Sequence, residues 1–426
     1  MRAIARNSTI LSTSGITYDF SAPPRIVFGW GRRREAGSMA RALGTRAFVI
    51  CGSRTLEQSG GLDEIIVSLH EAGVETVRTA SISREPLVED VDACVAALRA
   101  EHAAPGDLLL AVGGGSAIDL AKAAGAVITQ EPATSVQDYL EGVGTGRKIV
   151  NTPLPVLAMP TTAGTGSEAT KNAVISSIDP PFKKSLRSEL MVPRAVLIDP
   201  QLAVCVPPQI TAWTGMDAIT QLIESYISRR ATPATQDIAW AGLGFAVPNL
   251  ADAFRDGSSR RAREALAQAA LLSGIALANS GLGMAHGVAA ALGVHCQVPH
   301  GLACAVMLPA ALQANRMQPG VEAQLARAGW AMLHPGVSSF DPSELTEDIP
   351  ELRGYARATT RERVDRVLWR VDTLLIELGI PRRLSMIGVR REQIPAIVRD
   401  SRGNSMSANP RAMMDDELTQ ILEDLL

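Results

Sequence analysis

The stretch Leu108-Leu109-Leu110-Ala111-Val112-Gly113-Gly114-Gly115-Ser116-Ala117-Ile118-Asp119 decides how the first half of this chain is read. Five apolar residues suit a buried strand, and three glycines then let the backbone turn tightly into a helix that runs through Ala123. At such a junction the free N–H groups at the helix start can hold a pyrophosphate. The spacing is neither GxGxxG nor a P-loop, so taken alone the turn is a plain strand-to-helix connection.

Working outward, Arg46–Cys51 and Val74–Thr79 read as strands, and Leu62–Ala72 and Val88–Ala100 as helices. Leu154–Met159 and Arg194–Ile198 return to the strand layer. Strands alternating with amphipathic helices predict a mostly parallel sheet covered on both faces. Gly52 and Gly113 fall just past strand ends, where an open α/β sheet binds its ligands. A second polar turn, Pro160 to Glu168, carries Thr161, Thr162, Thr165 and Ser167, hydroxyls beyond what a bare connection requires. Two such turns point to a nucleotide site lined by Gly113, Gly114, Gly115, Ser116, Asp119, Thr161, Thr162, Thr165 and Ser167.

After Asp199-Pro200 the period changes. Ala212–Tyr226, Thr235–Phe254, Ser259–Ala278 and Val321–Ala331 read as helices, and strand signals become scarce. The expected division is an α/β dinucleotide-binding domain over 1–200 and an all-helical domain over 201–426.

At 426 residues the chain has room for two cores, and its net charge of −3 with scattered basic residues argues against a nucleic acid partner. No apolar run approaches the roughly 20 residues that span a bilayer. Five widely spaced cysteines suit a reducing compartment, so a cytoplasmic protein is expected.

In the helical half, Asp217 and Gln221 lie four apart and share a helix face. Of six histidines, three fall within 286–300. Asp217, His286 and His300 could meet at one borderline divalent ion, Fe2+ or Zn2+. Satisfied structural histidines explain two of these residues equally well.

Several blocks sharpen the choice: Gly113 to Ser116 with Asp119, Ala121 and Lys122; Pro160 to Glu168; Gly215-Met216-Asp217-Ala218; Gly281 to Gly287; and Pro299 to Ala303. In this order they resemble the iron-containing (group III) alcohol dehydrogenases, from Ile26 to Asn409-Pro410-Arg411. The resemblance implies a dehydroquinate synthase-like / group III alcohol dehydrogenase fold. It also implies NAD- or NADP-dependent interconversion of an alcohol with an aldehyde or ketone, and a homodimer or higher homo-oligomer. It further implies a divalent ion held by one Asp and three His. Asp217, His286 and His300 match three of those ligands, and Gln221 stands where the family has the third histidine. Gln221 is therefore expected to replace a metal-ligand histidine, coordinating directly, orienting a water, or marking a metal-independent carbonyl reductase like the related maleylacetate reductases. Ala290 and Ala310 also stand where histidines are usual. Ser53 takes the place of an aspartate that rejects a 2′-phosphate, and with Arg54 beside it NADPH is favoured while NAD stays open.

Lys171, Lys183, Lys184 and Arg187 are further candidates for a cationic wall facing an acidic aldehyde. Two other classes compete with the dehydrogenase reading: a metal-dependent lyase of the same architecture, and a nucleotide-binding homologue without catalysis.

Overall fold

The computed structural model describes residues 17–426 apart from 53–55, 57, 59, 133 and 335–349; of 350–353 only the backbone is described. Ser53 and Arg54, on which the choice between NAD and NADP turned, lie outside the described residues.

The apolar runs of the first half assemble one six-stranded sheet. Its strands are β1 (Ile26–Phe28), β2 (Arg46–Cys51), β3 (Glu75–Ser81), β4 (Asp107–Gly113), β5 (Val156–Pro160) and β8 (Ala195–Ile198). Their order across the sheet is β1-β8-β5-β4-β2-β3, and every pairing is parallel. β4 is buried along its whole length, as a central parallel strand covered on both faces must be. One face packs Phe48, Ile50, Leu109 and Ala111 against helices α3 (Val88–Ala100) and α4 (Gly115–Val127). The other packs Val49, Leu110 and Leu157 against α1 (Ala36–Arg41) and α2 (Gly61–Glu71).

From β2 the chain steps outward to β3, then crosses back to β4 on the other side of β2. That reversal opens a crevice at the carboxyl ends of β2 and β4. Gly52 and Gly113 face each other there. A Cβ on Gly113 would sit 2.6 Å from the Gly52 Cα, so no larger residue fits without moving one strand.

The sequence reading missed an antiparallel hairpin, β6 (Asn172–Ile178) with β7 (Pro181–Arg187). Its buried residues, Ala173, Ile175, Phe182 and Leu186, do alternate, but Ser177 and Lys184 stand at the same alternate positions and mask the pattern in the sequence.

The second half contains α5 (Pro208–Ile227), α6 (Pro233–Arg255), α7 (Arg260–Ser280), α8 (Met284–Cys296), α9 (His300–Asn315) and α10 (Val321–Leu333). Local signals set their starts. Thr232 accepts the Thr235 N–H at the head of α6, and Ser259 accepts the Ala262 N–H at the head of α7. α5, α6, α7, α8 and α9 share one apolar core with α11 (Thr360–Glu377) and α12 (Asp415–Asp424), including Met216, Ile219, Leu250, Leu292 and Leu308. No single helix among the described residues is long and apolar enough to cross a membrane.

Candidate active site

One cavity of about 940 Å³ lies between the sheet edge and the helices. That is at the upper end of ligand pockets, room for a dinucleotide together with a small molecule. Its nucleotide-side wall contains Gly52, Gly114, Gly115, Ser116, Asp119, Thr161, Thr162, Thr165 and Ser167; Gly113 closes β4 immediately behind. Gly114 has extended backbone and stands immediately before α4, whose first residues, Gly115 and Ser116, line the cleft; the first N–H groups of a helix have no partner within it. The threonine turn lies against the glycines: a Cβ on Gly115 would meet the Thr165 Oγ1 at 2.6 Å.

Asp119 is occupied structurally. One oxygen accepts from Ser167 Oγ and pairs with Lys122 Nζ at 3.0 Å, and the other accepts the Val174 N–H. Lys122 also donates to the Ser167 carbonyl, the Thr170 Oγ1 and the Asn172 carbonyl. The ammonium thus ties α4 to the threonine turn and to the start of β6.

Glu168, in that same turn, is fully buried. Burial pushes its carboxyl up to about 7, with Lys122 acting in the opposite direction. A carboxyl raised in the fold from an ordinary 4.5 stabilises the fold fully below that value. The contribution is lost as pH rises through about 7. Stability should therefore fall by on the order of 3 kcal/mol between pH 4.5 and 8 on account of this group. Glu168→Gln should remove that part of the slope in urea titrations at pH 5 and pH 8; an unchanged slope would mean that another group carries it.

Across the cleft, Asp217 on α5, His286 on α8 and His300 on α9 come together. His286 Nε2 lies 3.2 Å from Asp217 Oδ1, and His300 Nε2 lies 3.7 Å from the same oxygen. Behind them sits Glu224, one helical repeat after Asp217 on the same face of α5. Its oxygens accept the N–H groups of Gly283 at 2.9 Å and Ala285 at 2.6 Å, capping the start of α8, and His286 Nδ1 donates to it at 2.7 Å. One carboxylate thereby sets both the helix and the ring, leaving Nε2 aimed at Asp217. Asn409 helps by accepting the Met284 N–H.

The electrostatics follow from this packing. Burial alone would raise the Asp217 carboxyl, but the two imidazoles opposite hold it below its ordinary value. Burial opposes protonation of His286, yet its surroundings, with Cys304, Asp217 and Glu224 all contributing, hold it well above the ordinary imidazole value. His300 is pushed down to about 4, first by burial and then by the nearby Lys183 ammonium, so it is a neutral imidazole with a lone pair to donate.

The expectation for Gln221 is overturned. The group of donors that converges is Asp217, His286, His300 and Cys304, all within 4.8 Å of one another. The Gln221 side chain is engaged elsewhere: its oxygen accepts from Ser273 Oγ at 2.7 Å and its nitrogen donates to the Thr165 carbonyl. An amide built of one donor and one acceptor suits that bridge between α5, α7 and the threonine turn. Gln221→Ala should cost about 1–3 kcal/mol of stability by stranding these partners, with metal content unchanged by elemental analysis. Metal loss without loss of stability would contradict this placement.

Sequence reasoning missed Cys304 and Glu224. Both carried a signal: Cys304 follows His300 by four residues and Glu224 follows Asp217 by seven, each a same-face helical spacing. His295 pairs with Asp400 at 2.7 Å and stands outside the cluster. Ala290 lines the cleft, so no imidazole stands there. Lys183, Lys184 and Arg187 line it too, but Lys183 pairs with Glu85 and Arg187 with Glu141; Lys171 pairs with Glu189.

The residues present fit a divalent ion. Two imidazoles, a carboxylate and a sulfur converge at one point, and one ring is locked by a carboxylate behind it, as metal-ligating histidines usually are. His300 Nδ1 is buried with no hydrogen-bond partner, so no strong bond holds that ring away from an ion.

Comparison with known proteins agrees. Residues 23–200 match the iron-containing alcohol dehydrogenase family, and residues 211–426 match the C-terminal region of the Fe-containing alcohol dehydrogenase family. The chain is 35% identical over 312 residues to a choline dehydrogenase of Bacillus subtilis, spanning 73% of this chain and 76% of that protein. A crystal structure of a 1,3-propanediol oxidoreductase superposes with a TM-score of 0.84 at 28% identity, covering 96% of this chain and 100% of the other. The sulfoacetaldehyde reductase of Bifidobacterium kashiwanohense, in complex with NAD+, superposes with a TM-score of 0.81 at 28% identity, over 96% of this chain and 99% of that one. Since both halves are matched and little lies outside them, the chain belongs to the iron-containing alcohol dehydrogenase family.

Proposed function

We propose that this NAD(P)-linked, metal-containing oxidoreductase interconverts short, uncharged alcohols and aldehydes, with Asp217, His286 and His300 as the residues at the reacting end of the cleft. The observation that carries this reading is the single cavity whose walls include both the Gly114–Ser116 turn and the Asp217–His286–His300 group. Bound at that group, an ion supplies Lewis-acid polarisation of a carbonyl oxygen, and a nicotinamide supplies the hydride.

The chain's own part is positioning. The amides at the start of α4 and the hydroxyls of Thr161, Thr162 and Thr165 hold the pyrophosphate end. Glu224 fixes the His286 ring, so the reacting group meets a preset surface. The apolar residues Leu277, Leu282 and Ala290 face the same space and exclude water from it. With alanine at 290, no imidazole stands on that wall, and the hairpin is the polar element beside it. Lys183 Nζ, held by Glu85, comes within 3.9 Å of a Cβ placed on Gly293, one turn along α8 from Ala290. Lys183 and Arg187 are each paired with an acid that lines the same cavity, Glu85 and Glu141, so among the described residues only Lys184 of the three hairpin cations adds uncompensated charge to this wall. That favours an uncharged substrate over an acidic one.

The division into 1–200 and 201–426, a homo-oligomeric cytoplasmic protein and the lack of a nucleic acid partner belong to the same proposal; the scattered charge supports the last. The test is paired NADH and NADPH oxidation with short aldehydes, one of them bearing a sulfonate. Turnover of uncharged aldehydes supports the reading. A marked preference for the sulfonate overturns the substrate class, and tight nucleotide binding with no turnover overturns catalysis altogether.

A further inference from the structure

We propose that Cys304 donates a thiolate to the metal site and thereby selects zinc, or a similarly thiophilic ion, over iron. This rests on the metal-assisted reading above.

Position comes first. Cys304 lies one helical turn beyond His300 on α9, so both side chains leave the same face, and Cys304 Sγ sits 3.7 Å from His300 Nε2. With Zn–N near 2.0–2.1 Å and Zn–S near 2.3 Å, tetrahedral ligands stand about 3.3–3.6 Å apart. The separations here are 3.2 Å (His286 to Asp217), 3.7 Å (His300 to Asp217) and 3.7 Å (Cys304 to His300). Three of the six separations are therefore close to tetrahedral spacing, and all four atoms lie within 4.8 Å of one another.

The number of donors comes second. The Gln221 amide is committed to Ser273 and Thr165, so α5 contributes Asp217 alone. Cys304 on α9 restores a set of four donors without a fourth element having to enter. A buried cysteine is ordinarily a small apolar residue. Here the thiol is fully buried yet stands among a carboxylate and two imidazoles.

Charge comes third. On binding, the thiol releases its proton to solvent. The two positive charges of the ion are then balanced by Asp217 and the thiolate, giving a neutral centre, where one aspartate with three imidazoles would leave a net charge of +1. Thiolate is a soft donor, and a sulfur, nitrogen and oxygen set of this kind suits zinc better than iron(II).

The test uses the full-length protein, stripped with a chelator and reloaded with cobalt(II). A thiolate-to-cobalt charge-transfer band in the near ultraviolet is expected in the parent. It should disappear in Cys304→Ser and persist in Cys296→Ser, with unchanged circular dichroism showing that both variants are folded. Zinc affinity should fall about tenfold or more in Cys304→Ser. In anaerobic competition between zinc and iron(II), followed by elemental analysis, both proteins should favour zinc, but the zinc-to-iron ratio retained by Cys304→Ser should be about tenfold or more below the parent's; an unchanged ratio would overturn the selection by Cys304. Cobalt bound with ligand-field bands but no charge-transfer band would overturn the thiolate assignment and leave the metal-assisted reading standing. Failure to bind any of the three ions would overturn both.

Discussion

Asp217→Asn is expected to lower kcat/KM by about three orders of magnitude and to strip the protein of its metal. Asp217 is almost wholly buried, and one of its oxygens faces both His286 Nε2 and His300 Nε2. Asparagine keeps the volume, so packing against α8 and α9 survives, but the only carboxylate of the donor group is gone. Lewis-acid polarisation supplies several kcal/mol of transition-state stabilisation, and each 1.36 kcal/mol is a factor of ten. Losing about 4 kcal/mol is about a thousandfold. The check is steady-state kinetics beside elemental analysis on the same preparation. Full metal content with activity within threefold of the parent would remove Asp217 from the site.

The second large effect is on stability. Lys122→Met should destabilise the fold by about 3–5 kcal/mol, the usual result of removing one partner of a buried ion pair. The Lys122 side chain is wholly buried, and burial drags its ammonium below the ordinary lysine value while Asp119 resists that shift. Methionine matches its length but can donate to none of its four acceptors: the Asp119 carboxylate, the Ser167 and Asn172 carbonyls and the Thr170 hydroxyl. Asp119 would retain only Ser167 and the Val174 N–H. Because these contacts fix the threonine turn against α4, nucleotide affinity should fall along with stability. Urea unfolding and nucleotide titration on one variant measure both. A loss below 1 kcal/mol would show that the turn is held by packing instead.

The helices and strands with strong periodicity were legible. Val88–Ala100 has the bounds read from the sequence, and β2 and α10 begin where the pattern begins. The β6–β7 hairpin was not: Ala173, Ile175, Phe182 and Leu186 enter the core at alternate positions, but Ser177 and Lys184 occupy the same alternation and hide the period in the sequence. The start of α8 was equally opaque, since its cap is not local: Glu224, about 60 residues earlier, accepts its first N–H groups.

By itself the sequence determined the parallel sheet, the two polar turns after β4 and β5, and the membership of Asp217, His286 and His300 in one site. Strand periods and glycine turns are local properties of a chain, while the grouping of Asp217, His286 and His300 rested on the family resemblance. Only the tertiary structure decided which partner each polar side chain keeps. Gln221 reads as a replaced ligand because it lies four residues from Asp217, yet Ser273 and Thr165, over fifty residues away on either side, take its amide. In the sequence Cys304 is one of five widely spaced cysteines, yet the crossing of α5, α8 and α9 buries it beside the metal donors. A buried polar group must be satisfied by whatever the fold places within about 3 Å, and that neighbourhood is set by packing between helices distant in the chain.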